Sequence, residues 1–148
     1  MLKNKILLAF FLLSSVFIFT NCTKQDTVTS NNQIQGTWVV TGINSDYPYD
    51  WDNDGYTETD IFSTYSYCQR DISLSFQQNG YGQSRQGCDA PIENMSWQLS
   101  NNRLDISIPS GDINLSITQF DGNTLRGYDQ VNVNGRTYNI NYTLSKRY

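Results

Sequence analysis

The chain has 148 residues, a formal charge of −4, no histidine and three prolines, with ten tyrosines and three tryptophans. Without histidine it has no Ser–His or Cys–His nucleophile pair and no imidazole zinc site, and it shows no basic stripe to displace counterions from nucleic acid. The roughly 115 residues after the leader and tether suit one domain, and the wealth of β-branched and aromatic residues favours strands.

Lys3 and Lys5 open the chain, and residues 6–19 are apolar apart from Ser14 and Ser15. That run is short for a hydrocarbon core of roughly 30 Å and suits a signal peptide over residues 1–21. It ends at Thr20-Asn21-Cys22, which resembles the cleavage site of Bacteroidetes-type lipoproteins. The resemblance implies that Cys22 is lipidated and anchors the protein in the cell envelope, on the periplasmic or surface face of the outer membrane. An ordinary signal peptide or an uncleaved anchor is the alternative. Three cysteines cannot all pair in an oxidising compartment, and assigning Cys22 to lipid leaves Cys68 and Cys88 as a pair. Loss of Lys3 and Lys5 with the leader leaves eight basic residues against fourteen acids, −6 in all. Asp46, Asp50, Asp52, Asp54, Glu58 and Asp60 equal that whole excess, which concentrates negative charge in one cation-attracting spot. Residues 22–33, polar and without period, read as a flexible tether to a domain over residues 34–148.

Strands begin at Gln35-Gly36-Thr37-Trp38-Val39-Val40-Thr41-Gly42-Ile43. After the acidic stretch, Ile72, Leu74 and Phe76 alternate with polar residues, and Asn79-Gly80 marks a hairpin because both positions tolerate positive φ. The return strand, residues 81–86, is polar and is expected near an edge or a barrel mouth. Met95, Trp97 and Leu99 mark the next strand, Leu104, Ile106 and Ile108 another, and Ile113, Leu115 and Ile117 a third. Residues 125–133 follow, closed by Asn134-Gly135, and Tyr138, Ile140, Tyr142 and Leu144 form the last. The pattern predicts an all-β, up-and-down antiparallel meander of about eight strands, with no segment long enough for a crossover helix.

Gly36-Thr37-Trp38 resembles the Gly-x-Trp that opens the first strand of lipocalins, where the tryptophan plugs the closed end of an eight-stranded barrel. The acidic loop, Cys68, Phe76 ahead of Asn79-Gly80, Cys88, Trp97-Gln98-Leu99, Asn123-Thr124-Leu125 and the tyrosine-rich last strand resemble small lipocalin-like lipoproteins of Bacteroidetes over most of residues 34–147. The resemblance implies an up-and-down barrel, with Arg147 as the counterpart of the cation that covers the tryptophan. It implies little about chemistry.

Asp50-Trp51-Asp52-Asn53-Asp54-Gly55-Tyr56-Thr57-Glu58-Thr59-Asp60 carries the most specific chemical signal. Calcium takes six to eight hard oxygens, and Asp50, Asp52, Asp54 and Gly55 match positions one, three, five and six of a calcium loop. The Tyr56 carbonyl stands at seven and Glu58, through water, at nine; Asp60 falls one residue before the position of the bidentate acid. Calcium is the expected cofactor, against a solvated Asp-rich turn without metal. Cys68 and Cys88 bracket the first hairpin and are expected to form a structural disulfide rather than a redox pair. Trp51 either packs on the rim or stacks on a ligand. Trp38, Phe76, Trp97, Tyr138 and Tyr142 are the expected lining of a barrel that holds a small amphipathic ligand. The expected protein binds and does not catalyse. The alternative is a filled barrel acting as a structural or interaction protein, adhesin- or inhibitor-like.

Overall fold

The computed structural model describes residues 31–148; the leader, Cys22 and the tether up to residue 30 lie outside the described residues. A helical turn, α1 (Asn31–Ile34), leads into β1 (Gly36–Tyr49). After the acidic loop come β2 (Glu58–Asp60) and a second short helix, α2 (Ile61–Thr64). The remaining strands are β3 (Ile72–Phe76), β4 (Tyr81–Gln86), β5 (Glu93–Ser100), β6 (Arg103–Ile108), β7 (Gly111–Phe120), β8 (Thr124–Val133) and β9 (Arg136–Arg147). From β3 onward each strand pairs antiparallel with the next, and β1 pairs with both β3 and β9. That double pairing closes an eight-stranded up-and-down barrel, which fits a lipocalin-like fold. The three-residue β2 adds to the far half of β1, outside the closed wall.

The period-two pattern places the core. Leu74, Phe76, Met95, Trp97, Leu104, Ile106, Leu115 and Leu144 all face inward and are buried. Two bulges adjust the phase. Val40 and Ile43 in β1, and Ile117 and Phe120 in β7, are three residues apart yet all buried, because the register shifts between Val40 and Gly42 and between Ile117 and Gln119. Tight turns at Asn79-Gly80, Asn101-Asn102 and Asn134-Gly135 take positive φ at both residues, matching the twist of the strands they join.

The alternating course divides the loops between two ends. The base carries α1, the turns at 77–80, 101–102 and 121–123, and the end of β9. The mouth carries the acidic loop, β2, α2, residues 65–71, the turn after β4 and the short turns after β6 and β8. At the base Trp38 is wholly buried, donates its indole N–H to the Ile34 carbonyl at 2.7 Å, and lies 6.0 Å from Phe120. Phe76 and Trp97 meet edge to face at 5.3 Å beside it.

Three expectations change. Residues 31–33 belong to α1 and not to a free tether, since fully buried Ile34 draws this turn onto the barrel base. The polar strand β4 is no edge; it lies inside the wall between β3 and β5. Its inward residues, Gly82 and Ser84, are small, and a Cβ at Gly82 would collide with the Ser75 carbonyl and the Met95 side chain. Neighbouring strands fill the core on its behalf. The cation over Trp38 is Lys146, with Nζ 5.4 Å from the ring centroid, and not Arg147. Lys146 keeps the inward phase of Tyr142 and Leu144, and Gly36, at φ +114°, leaves room for its stem.

Candidate functional site

The mouth gathers the chemistry. β1 overshoots the rim, and the chain returns through the acidic loop to pair Tyr49 with Glu58. Positive φ at Asn53 and Gly55 turns the loop tightly enough to bring carboxylate oxygens of Asp50, Asp52, Asp54 and Glu58 within 4.8 Å of one another. Backbone amides hold these acids in place. Asp50 accepts from the amides of Asp54 and Gly55, both at 3.0 Å; Asp54 accepts from the Tyr56 amide at 2.8 Å; Glu58 accepts from the Trp51 amide at 2.7 Å. Among the described residues the ion pairs are Arg85–Asp71 and Arg103–Asp105, and neither reaches the loop. Four acids converging without a cation repel one another, and a hard divalent ion suits that donor set.

One of the five expected acids stands apart from this cluster. Asp60 is turned to cap α2, accepting from the Ser63 amide at 3.1 Å, which leaves Glu58 as the acid that closes the group. Tyr56 contributes its amide to Asp54, and its ring is exposed. Trp51 packs on the rim: its indole N–H donates to Ser45 Oγ at 3.2 Å, and its ring lies 5.0 Å from Tyr49 and 5.3 Å from Tyr138. Arg136 covers Tyr47 at 4.2 Å and Tyr138 at 5.2 Å, which completes the aromatic rim.

Inside the wall, below the mouth, lies a cavity of about 180 Å³. Nine of its lining side chains are aliphatic, among them Val40, Ile43, Leu74, Ile106 and Leu144, and three are polar: Tyr65, Gln86 and Tyr142. Of the five residues expected to line a ligand space, Tyr142 does so. Trp38, Phe76 and Trp97 plug the base instead, and Tyr138 belongs to the rim with Trp51. Large rings fill the barrel where they sit, so the space remains among smaller side chains. Burial, with lesser contributions from Asp129 and Tyr65, pushes the Tyr142 phenol up to about 12.

Sequence reasoning missed Tyr65 and Gln86. Gln86 keeps the inward phase of Gly82 and Ser84, a signal that period two offers. Tyr65 follows α2 in a segment with no period to read. That segment is tied down by Cys68–Cys88, whose Cα atoms are 4.8 Å apart, joining residues 65–71 to the turn after β4. The expected disulfide therefore staples the roof of the cavity to the wall.

A comparison with curated proteins found no match. The family model described as Domain of unknown function (DUF5004) matches residues 18–141, which include the acidic loop, both cysteines and seven of the eight wall strands in full. The chain belongs to the DUF5004 family.

Proposed function

We propose that this is an exported envelope lipoprotein, anchored through Cys22 in the outer membrane, that binds a small amphipathic molecule in its barrel and a calcium ion in its mouth loop, and catalyses no reaction. The observation that carries the binding reading is the cavity: a largely aliphatic space within a closed wall, partly open at the mouth, with its polar groups confined to Tyr65, Gln86 and Tyr142. Such a space, apolar with a few orienting polar groups, is what a small-molecule site requires. The ligand must be small. An engineered cavity of about 150 Å³ accommodates benzene, so 180 Å³ suits on the order of six to ten non-hydrogen atoms. Native mass spectrometry of the protein released from its own membranes tests this directly, with a bound species of that size as the expected result.

The loop supports calcium by its donor set: three aspartates at alternate positions, a glycine at the turn and Glu58 beyond it. At a hundredfold excess over Kd, calcium adds about 2.7 kcal/mol to stability, read as a higher unfolding midpoint in calcium than in chelator. An unchanged midpoint, with Asp52→Ala and Asp54→Ala equally silent, reduces the loop to a turn. One observation favours a second reading. At 180 Å³ the cavity falls below the roughly 300–1,000 Å³ of most ligand pockets, as a filled-barrel interaction protein requires. A protein recovered with no bound species and indifferent to small amphiphiles fits that reading.

A further inference from the structure

The residues around the cavity say which charge its occupant carries. Resting on the binding reading above, we infer that the cavity selects an uncharged amphiphile with one hydroxyl-type donor, such as a short-chain alcohol or small phenol, and rejects carboxylates and amines of the same length. No acidic or basic side chain lines the space. An ionised group drawn into it would lose water and gain no counter-charge, a penalty that an aliphatic wall cannot offset.

The neighbouring charges sharpen the choice against anions. Gln86 donates its side-chain amide to Ser110 Oγ at 3.3 Å, and Ser110 donates in turn to Glu93 Oε2 at 3.1 Å. That chain commits one of the two side-chain N–H groups of Gln86 and places a carboxylate behind it, which leaves Gln86 its carbonyl oxygen and one N–H to offer a ligand. A hydroxyl can donate to that oxygen; a carboxylate cannot. Asp129 adds negative potential at Tyr142, and the acidic loop adds more at the rim. The cations near the roof are committed elsewhere. Arg70 donates to the carbonyls of Tyr65 and Ser63 at 2.9 and 2.6 Å and sits over Phe62, and Arg85 pairs with Asp71 at 2.6 Å. Amines fail for the converse reason: neither Glu93 nor Asp129 lines the cavity, so a buried ammonium would have no counter-charge. The Tyr142 hydroxyl keeps its proton at any ordinary pH and stays a neutral donor and acceptor.

The test uses full-length protein with labelled tyrosine rings in lipid nanodiscs, with empty nanodiscs as the blank. Titration at pH 7.5 with 1-hexanol, hexanoate and hexylamine follows the Tyr65 and Tyr142 resonances. Hexanol is expected to move both and to bind at least tenfold more tightly than either ion. Ile106→Phe, which fills the cavity, should abolish the hexanol response. Gln86→Lys, at the end of a strand on the rim, should invert the order and make hexanoate the tightest of the three. Comparable binding of all three probes overturns the selectivity and leaves the binding reading standing, as does an unchanged order in Gln86→Lys. No response to any probe overturns both.

Discussion

At the base, Trp38, Phe120, Phe76 and Trp97 fill the barrel with rings, whereas at the mouth an aliphatic space lies under Tyr65, a stapled loop and a ring of acids. Both ends bury apolar surface and both carry indoles with satisfied N–H groups: Trp38 to Ile34 at the base, Trp97 to Tyr81, Trp51 to Ser45 at the rim. They differ in what holds them. The base is secured by volume, through dispersion and burial among close-packed rings. The mouth is secured by covalent and polar ties, which keep residues in position without filling the interior. A closed barrel gains little from a second plug once one end is sealed, and the open half is then free to accept another molecule. On the proposed reading, stability and recognition fall to opposite ends of the same strands.

Mutations at the two ends should therefore differ in size. Trp38→Ala removes the largest wholly buried side chain and its hydrogen bond, and is expected to cost about 4 kcal/mol in denaturant unfolding. Tyr65→Ala, at the half-buried roof, should cost no more than about 1.5 kcal/mol. Equal losses would erase the distinction between the ends. The disulfide gives an intermediate effect. Opening a loop with a sequence separation of 20 by Cys68→Ser with Cys88→Ser should cost about 3 kcal/mol in the chain-entropy model. Hydrogen exchange should show the accompanying loss of protection in residues 65–71 before it reaches β1 or β9. Loss of protection at the base first would mean that the bridge serves the whole barrel and not its roof.

Most of the wall strands were legible because they put apolar residues at every second position, and three of the turns that join them carry a residue pair suited to positive φ: Asn79-Gly80, Asn101-Asn102 and Asn134-Gly135. The place of β4 was not, because its inward residues are small and its neighbours supply the packing; a strand read alone reports only its own side chains. The acidic loop was legible in four of its five acids. Asp60 departs because Asp-x-x-Ser opens α2, and capping a helix satisfies amides that a metal site would leave bare. The cavity was the least visible feature. Ranking candidates by aromatic size favoured Trp38, Phe76 and Trp97, the residues that fill space, while the true lining consists of leucines and isoleucines whose phase was read but whose volume was not summed around the barrel. Lys146 was within reach of the period-two argument, since it keeps the phase of Tyr142 and Leu144 and Arg147 does not.

The last effect is read at high pH and isolates the mouth from the base. The Tyr142 phenol ionises near 10 in an unfolded chain and near 12 in the folded barrel, where burial disfavours the phenolate. Below pH 10 the hydroxyl is protonated in both states and its contribution is fully present. Between pH 10 and 12 the unfolded chain loses this proton while the folded one keeps it, so the folded state binds more protons and stability falls as pH rises. At about 1.4 kcal/mol per pH unit the whole decline amounts to some 2–3 kcal/mol, complete near pH 12. Tyr142→Phe has no proton to lose and should follow a shallower curve over that window, with the two proteins nearly alike at pH 7. The quantity to measure is the difference between the wild-type and Tyr142→Phe unfolding free energies as a function of pH, which cancels the titration of the other tyrosines. A hexanol-loaded barrel should shift the wild-type curve further, since an occupied cavity desolvates the phenol more. If the difference is flat from pH 9 to 12, Tyr142 faces water and not the enclosed space, and the mouth is as open as the base is sealed.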